Sequence, residues 1–115
     1  MANFNSQHEA VLDELFQGHL HVRPGKMLGF PAYYTVRKFC VCVCGQGVGA
    51  RLPVLSAARL LETDGNTVPF CPLGKPKMRE WVQINLSHSG DYKKHKSVFD
   101  ESTRYMPAQQ EKVDS

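Results

Sequence analysis

Three cysteines at alternate positions, in Phe39-Cys40-Val41-Cys42-Val43-Cys44, are the densest set of chemically capable side chains in the sequence. Thiolates bind soft metals and act as nucleophiles. On a strand, side chains alternate, so the three sulfurs would share one face and Phe39, Val41 and Val43 the other. Zinc-binding cysteines normally sit on turns that let their sulfurs converge, and His19 and His21 are the residues that would have to complete such a set. A strand instead holds the Cβ vectors parallel, near the upper limit of Cα separation for a disulfide. The expectation is therefore three free, buried thiols, with no metal and no cofactor. Cys71, in Phe70-Cys71-Pro72-Leu73-Gly74-Lys75, has a cationic neighbour that could lower its pKa. No His or Asp partner for it can be read, so it is expected to be packed or idle.

Gly45, Gly47 and Gly49 follow a strand, as in a phosphate cradle, but such loops need a helix N-terminus directly after them. Another strand follows here, so a hairpin turn is expected. No pair of carboxylates has a spacing that points to acid–base catalysis. Glu80, if it faces inward with Met78 and Val82, needs a partner or a raised pKa. The strongest binding candidate is the basic set Lys75, Lys77, Arg79, Lys93, Lys94 and Lys96 around Trp81. From Leu73 to Lys96 six basic residues face Glu80 and Asp91, a net of +4 against +3 for the whole chain. An aromatic among cations can stack on a base or hold a charged ligand, although lysines on a terminal helix are ordinarily solvated.

These residues must be placed by a small α+β fold. A capping box, Ser6 with Glu9, opens a first helix carrying Val11, Leu12, Leu15 and Phe16, with Gly18 as its stop. Arg23-Pro24-Gly25 reads as a turn. One strand then runs from Lys26 to Tyr34, bent at Gly29 and Pro31, followed by a turn at Val36-Arg37. The second and third strands cover Lys38 to Cys44 and Val48 to Leu52. A second helix spans Val54 to Glu62, with Val54, Ala57, Ala58 and Leu61 inward. Val68 to Pro76 is a loop or short edge strand, and Met78 to Leu86 a further strand. The last helix begins near Ser87 or Ser89, buries Tyr92, His95, Val98, Phe99 and Ser102, and stops at Pro107. The expected order is α-β-β-β-α-β-β-α, an antiparallel sheet of about five strands. Residues 1–107 form one domain and 108–115 a flexible polar tail.

Three blocks in this order resemble the N-terminal domain of the TfoX family of bacterial proteins. They are Lys26-Met27-Leu28-Gly29-Phe30-Pro31-Ala32-Tyr33-Tyr34, then Arg51-Leu52-Pro53, then Pro69-Phe70 with Gly74 and Met78-Arg79-Glu80-Trp81-Val82. The likeness spans Val11 to Tyr105. Leu28 stands where the family usually has Phe, and Phe30-Pro31 replaces a second glycine, marking a divergent, stand-alone member. The resemblance implies a sheet-plus-helices domain with a regulatory association, and neither a reaction nor a set of functional residues.

The chain has 115 residues and a mild net charge of +3, less than nucleic-acid binders usually carry. Met1 to Ser6 lacks a charged segment leading into an apolar one, and no apolar run is long enough to span a bilayer. The expectation is a bacterial, cytoplasmic protein with no membrane partner. The leading functional reading is a non-catalytic regulatory or protein-interaction domain, more a binder than an enzyme. The alternatives are a nucleic-acid-binding module using Leu73–Lys96, and a small-ligand-binding protein or enzyme with a pocket between sheet and helices. A strand apolar on both faces must be covered twice. Small antiparallel sheets keep their helices on one side, so a homodimer is expected to cover the other.

Overall fold

The computed structural model describes residues 3–35, 38–70 and 79–105. It is an α+β fold with the element order α1 (Ser6–Phe16), β1 (Arg23–Met27), β2 (Phe30–Tyr34), β3 (Phe39–Cys44), β4 (Gly47–Arg51), α2 (Val54–Thr63), β5 (Thr67–Pro69), β6 (Trp81–Ile84), a 3-10 turn (Ser89–His95) and α3 (Lys96–Arg104). The strands form one six-stranded antiparallel sheet in the order β1-β2-β3-β4-β6-β5.

The extra strand arises because the segment expected to be one bent strand is a hairpin. Leu28 and Gly29 both adopt positive φ, 55° and 88°, the pairing a tight two-residue turn needs. Pro24 and Gly25, expected in a turn, lie in β1, at the sheet edge where proline's missing N–H is tolerated. The first helix is capped one residue earlier than expected. The Asn5 side-chain oxygen accepts from the amides of Gln7 at 2.8 Å and His8 at 3.3 Å, so Ser6 is already helical. On α2 the inward residues are Ala57 and Leu60, while Val54, Ala58 and Leu61 are exposed. The helix covers only the β5–β6 edge, so its buried stripe is narrow. The expected turn at Val36-Arg37, the loop residues Cys71 to Met78 and the tail lie outside the described residues.

All helices pack on one face of the sheet. Leu12 and Phe16 of α1, Tyr92 of the 3-10 turn and Phe99 of α3 close over Tyr33, Val41, Val43, Val48, Ala50 and Ile84. Ala57 of α2 joins Leu52 and Val82. The alternation expected for β3 is broken once. Tyr34 pairs with Phe39 and Tyr33 with Val41, so β3 spends two residues against one on β2, a bulge at Cys40. Cys40 consequently turns to the helix side with Val41, and Phe39 packs on Trp81, ring centroids 4.8 Å apart, with the far face.

The middle of that far face is dry, as the apolar strand requires, and the chain itself supplies a cover. Cys42 is fully buried and Trp81 nearly so. Tyr34, Phe39, Trp81 and Phe70 form a row of touching rings. Phe70 lies against Gly49, where a Cβ would come within 2.5 Å of its ring. A second subunit is therefore not needed to keep Cys42 from water.

Candidate functional site

At one end of the sheet the start of β3, the end of β4, the turn before β6 and the end of α3 converge on a polar cluster. Arg51, the last residue of β4, donates from Nε and from a terminal nitrogen to one oxygen of Glu80, at 3.1 and 2.8 Å. Tyr105, just past α3, donates its hydroxyl to the other oxygen. Burial and this carboxylate partner push the Tyr105 hydroxyl up to about 12. Glu80 thus meets the requirement set by its sequence position, with two partners rather than one.

Lys38 lies beside this group and is only 3% exposed. Its ammonium donates to the Ser102 carbonyl at 2.7 Å and stands 5.2 Å from the centre of the Tyr105 ring. Burial holds its pKa below the ordinary lysine value, with Arg51 adding to that and Glu80 opposing it. Ser102 completes the link by donating from its hydroxyl to the Cys40 carbonyl at 2.9 Å, which satisfies the backbone opened by the bulge. Among the described residues, Glu80 is ion-paired with Arg51, and Lys38 beside them bonds a backbone carbonyl and no carboxylate, leaving one positive charge in excess. Sequence reasoning missed Lys38. Its signal was a lone lysine at the head of a wholly apolar strand.

Among the described residues, Trp81 and the helix lysines expected to bind lie on opposite sides of the sheet. Trp81 faces away from the helices and is 3% exposed, clamped between Phe39 and Phe70. Lys93, Lys94 and Lys96 lie on the helix side, paired with Glu14, Asp91 and Asp100 at 3.1, 3.7 and 2.8 Å. Exposed pairs of this kind contribute about 0–1 kcal/mol each. Arg79 is exposed and precedes Glu80 in the turn before β6. Lys75 and Lys77 lie outside the described residues.

Two further arrangements carry chemistry. The sulfurs of Cys42 and Cys44 lie 3.6 Å apart, closer than parallel strand side chains were expected to bring them. Their shared hydrogen bond pushes the Cys42 thiol up and the Cys44 thiol down. All three described cysteines are free. Buried His8 accepts or donates at Nδ1 to the Ser89 hydroxyl at 2.6 Å and stacks edge-on to Tyr92, tying α1 to the 3-10 turn.

A groove of about 840 Å³ runs between α1 and the β1–β2 hairpin and is open to solvent. Its floor includes Tyr33, whose hydroxyl donates to Asp13 at 2.6 Å; burial and this acidic neighbour raise the hydroxyl's pKa far above normal. Among the described residues no three His, Cys, Asp or Glu side chains converge as a metal site, and no helix is long and apolar enough to cross a membrane.

No family model matches the chain, and no curated protein or solved structure matches it.

Proposed function

We propose that the domain is a non-catalytic regulatory or protein-interaction module, of the kind the TfoX N-terminal domain represents, and that it receives an acidic segment of a protein partner at the Lys38–Arg51 end of its sheet. The observation that supports this is the buried Lys38 ammonium. A cation taken out of water without a counter-charge costs several kcal/mol, and the carboxylate that acts on it among the described residues, Glu80, is already held by Arg51 and Tyr105. An approaching carboxylate would balance the excess charge from outside the buried ammonium, with exposed Arg79, next to Glu80 in the chain, as its first contact.

Direct nucleic-acid binding is the weaker reading. The three helix lysines are engaged with the chain's own carboxylates, and buried Trp81 cannot stack on a base. A second copy is not part of the proposal, because Phe70 already lies on the far face. A reducing bacterial cytoplasm is the setting that fits the free thiols.

Fluorescence anisotropy with a labelled oligoglutamate peptide and a generic DNA duplex, each at low and high salt, tests this. The peptide is expected to bind in a salt-sensitive way and to weaken about tenfold in Arg79→Ala and in Lys38→Met, one charge contact each. Equal or tighter binding of the duplex would favour the nucleic-acid reading. Binding of neither would overturn both.

A further inference from the structure

The row of sulfurs on β3 has a geometry that strand alternation alone does not produce. Cys42 and Cys44 lie two residues apart on one face, and their side chains lean together until the sulfurs are 3.6 Å apart. A disulfide needs about 2.05 Å between sulfurs and Cβ atoms about 3.8 Å apart. Neighbours two apart on an extended strand hold their Cβ atoms much farther apart than that. Closing an S–S bond would therefore buckle β3, the strand paired on both sides at the middle of the sheet.

A bridging ion has no such difficulty. Two thiolates bound to one tetrahedral zinc-like ion, each at about 2.3 Å, lie about 3.8 Å apart. The observed separation is close to that edge without any backbone movement. The neighbouring strand determines what borders the pair. Opposite the two sulfurs β4 carries glycine both times, Gly49 across from Cys42 and Gly47 across from Cys44. No β4 side chain intrudes on the pair. Phe70 occupies the space over Gly49 and walls the Cys42 end, while the Asn85 amide lies over Gly47. Cys42 is fully buried and Cys44, next to the Gly45–Gln46 turn in the chain, is partly exposed, so of the two residues only Cys44 meets solvent.

We infer that Cys42 and Cys44 form a two-thiolate half-site for one soft, thiophilic ion of the zinc and cadmium class, entered past Cys44 and completed by water or a small thiol from solution. Binding replaces two S–H bonds by two S–metal bonds and releases two protons, with no change of oxidation state. The site is separate from the Lys38–Arg51 cluster and does not depend on the function proposed for it.

The test is titration of the reduced full-length chain with cadmium, followed by the ultraviolet thiolate-to-metal charge-transfer band, and with zinc against a chromogenic chelator. One ion per chain is expected. Cys44→Ala and Cys42→Ala should each weaken binding at least tenfold, while Cys40→Ala leaves it unchanged. Circular dichroism and the melting temperature establish that each variant is folded. If the buried Cys42→Ala does not fold, partly exposed Cys44→Ala decides alone. Absence of binding, or binding untouched by Cys44→Ala, would overturn the inference. So would mild peroxide producing a Cys42–Cys44 disulfide, read as a mass loss of two hydrogens, in a protein that takes up no metal.

Discussion

Replacing Gly49 by alanine tests how the far face of the sheet is kept dry. The new Cβ would lie 2.5 and 2.7 Å from two carbons of the Phe70 ring and 3.2 Å from the Cys42 sulfur. Carbon atoms in good contact sit about 3.5–4.0 Å apart, so the ring must retreat by about 1 Å. Doing so loosens its edge-on contact with Trp81, whose centroid is 5.8 Å away. Overpacking of this kind costs about 1–3 kcal/mol, and replacing a strand glycine returns about 0.5–1 kcal/mol of that. At about 4 °C per kcal/mol for a chain of this size, Tm should fall by up to about 10 °C in calorimetry or a circular dichroism melt. Gly65→Ala is the control, since nothing lies within 4 Å of its Cβ. In a Phe70→Ala background the Gly49→Ala penalty should vanish, giving a coupling of about 1–2 kcal/mol. A Gly49→Ala variant as stable as the control, or an equal penalty with and without Phe70, would refute the aromatic cover and restore the case for a second subunit on that face.

Other expectations follow from single buried or strained groups. Tyr92→Phe removes a hydroxyl that donates to the Ile84 carbonyl at 2.7 Å and accepts the Leu86 amide at 3.2 Å. It should cost about 1–3 kcal/mol in urea unfolding, and an unchanged midpoint would mean the two backbone groups are satisfied otherwise. Leu28→Asn should raise stability by about 1 kcal/mol, because Leu28 is exposed and held at φ 55°, a region that disfavours leucine; a lower Tm would argue that its side chain packs. Burial lowers the pKa of His8, with a backbone bond to Gln46 opposing. The folded state therefore keeps His8 neutral while the unfolded chain takes up a proton near pH about 6.5, so stability is lost as pH falls from there toward the lowered value. His8→Gln should flatten the stability curve below about pH 6.5, and a parallel curve would exclude this histidine as the acid-sensitive group.

The central strand was legible because six consecutive residues, Phe39 to Cys44, offer no polar side to water, and only an interior position tolerates that. The cap of α1 was misplaced by one residue because Asn5 and Ser6 are both good caps, and the choice depends on which side chain reaches the free amides. The β1–β2 hairpin was read as one strand because Leu28-Gly29 is not a familiar turn pair; leucine accepts a positive φ here only because strand pairing on both sides imposes it. The basic candidates were grouped by nearness in sequence. Folding separated Trp81 from Lys93, Lys94 and Lys96 by the thickness of the sheet, since residues 81 and 82 point to opposite faces.

By itself the amino-acid order determined the α+β class, the extent of most elements and the dryness of β3, all of which follow from local periodicity and from the cost of wetting apolar side chains. The tertiary structure alone decided the bulge at Cys40, the meeting of Lys38, Arg51, Glu80 and Tyr105, the laying of Phe70 on Gly49 and the approach of two sulfurs. Each of these joins residues distant in the chain, or turns on a register shift of one residue, and no local pattern encodes the direction in which a side chain then points.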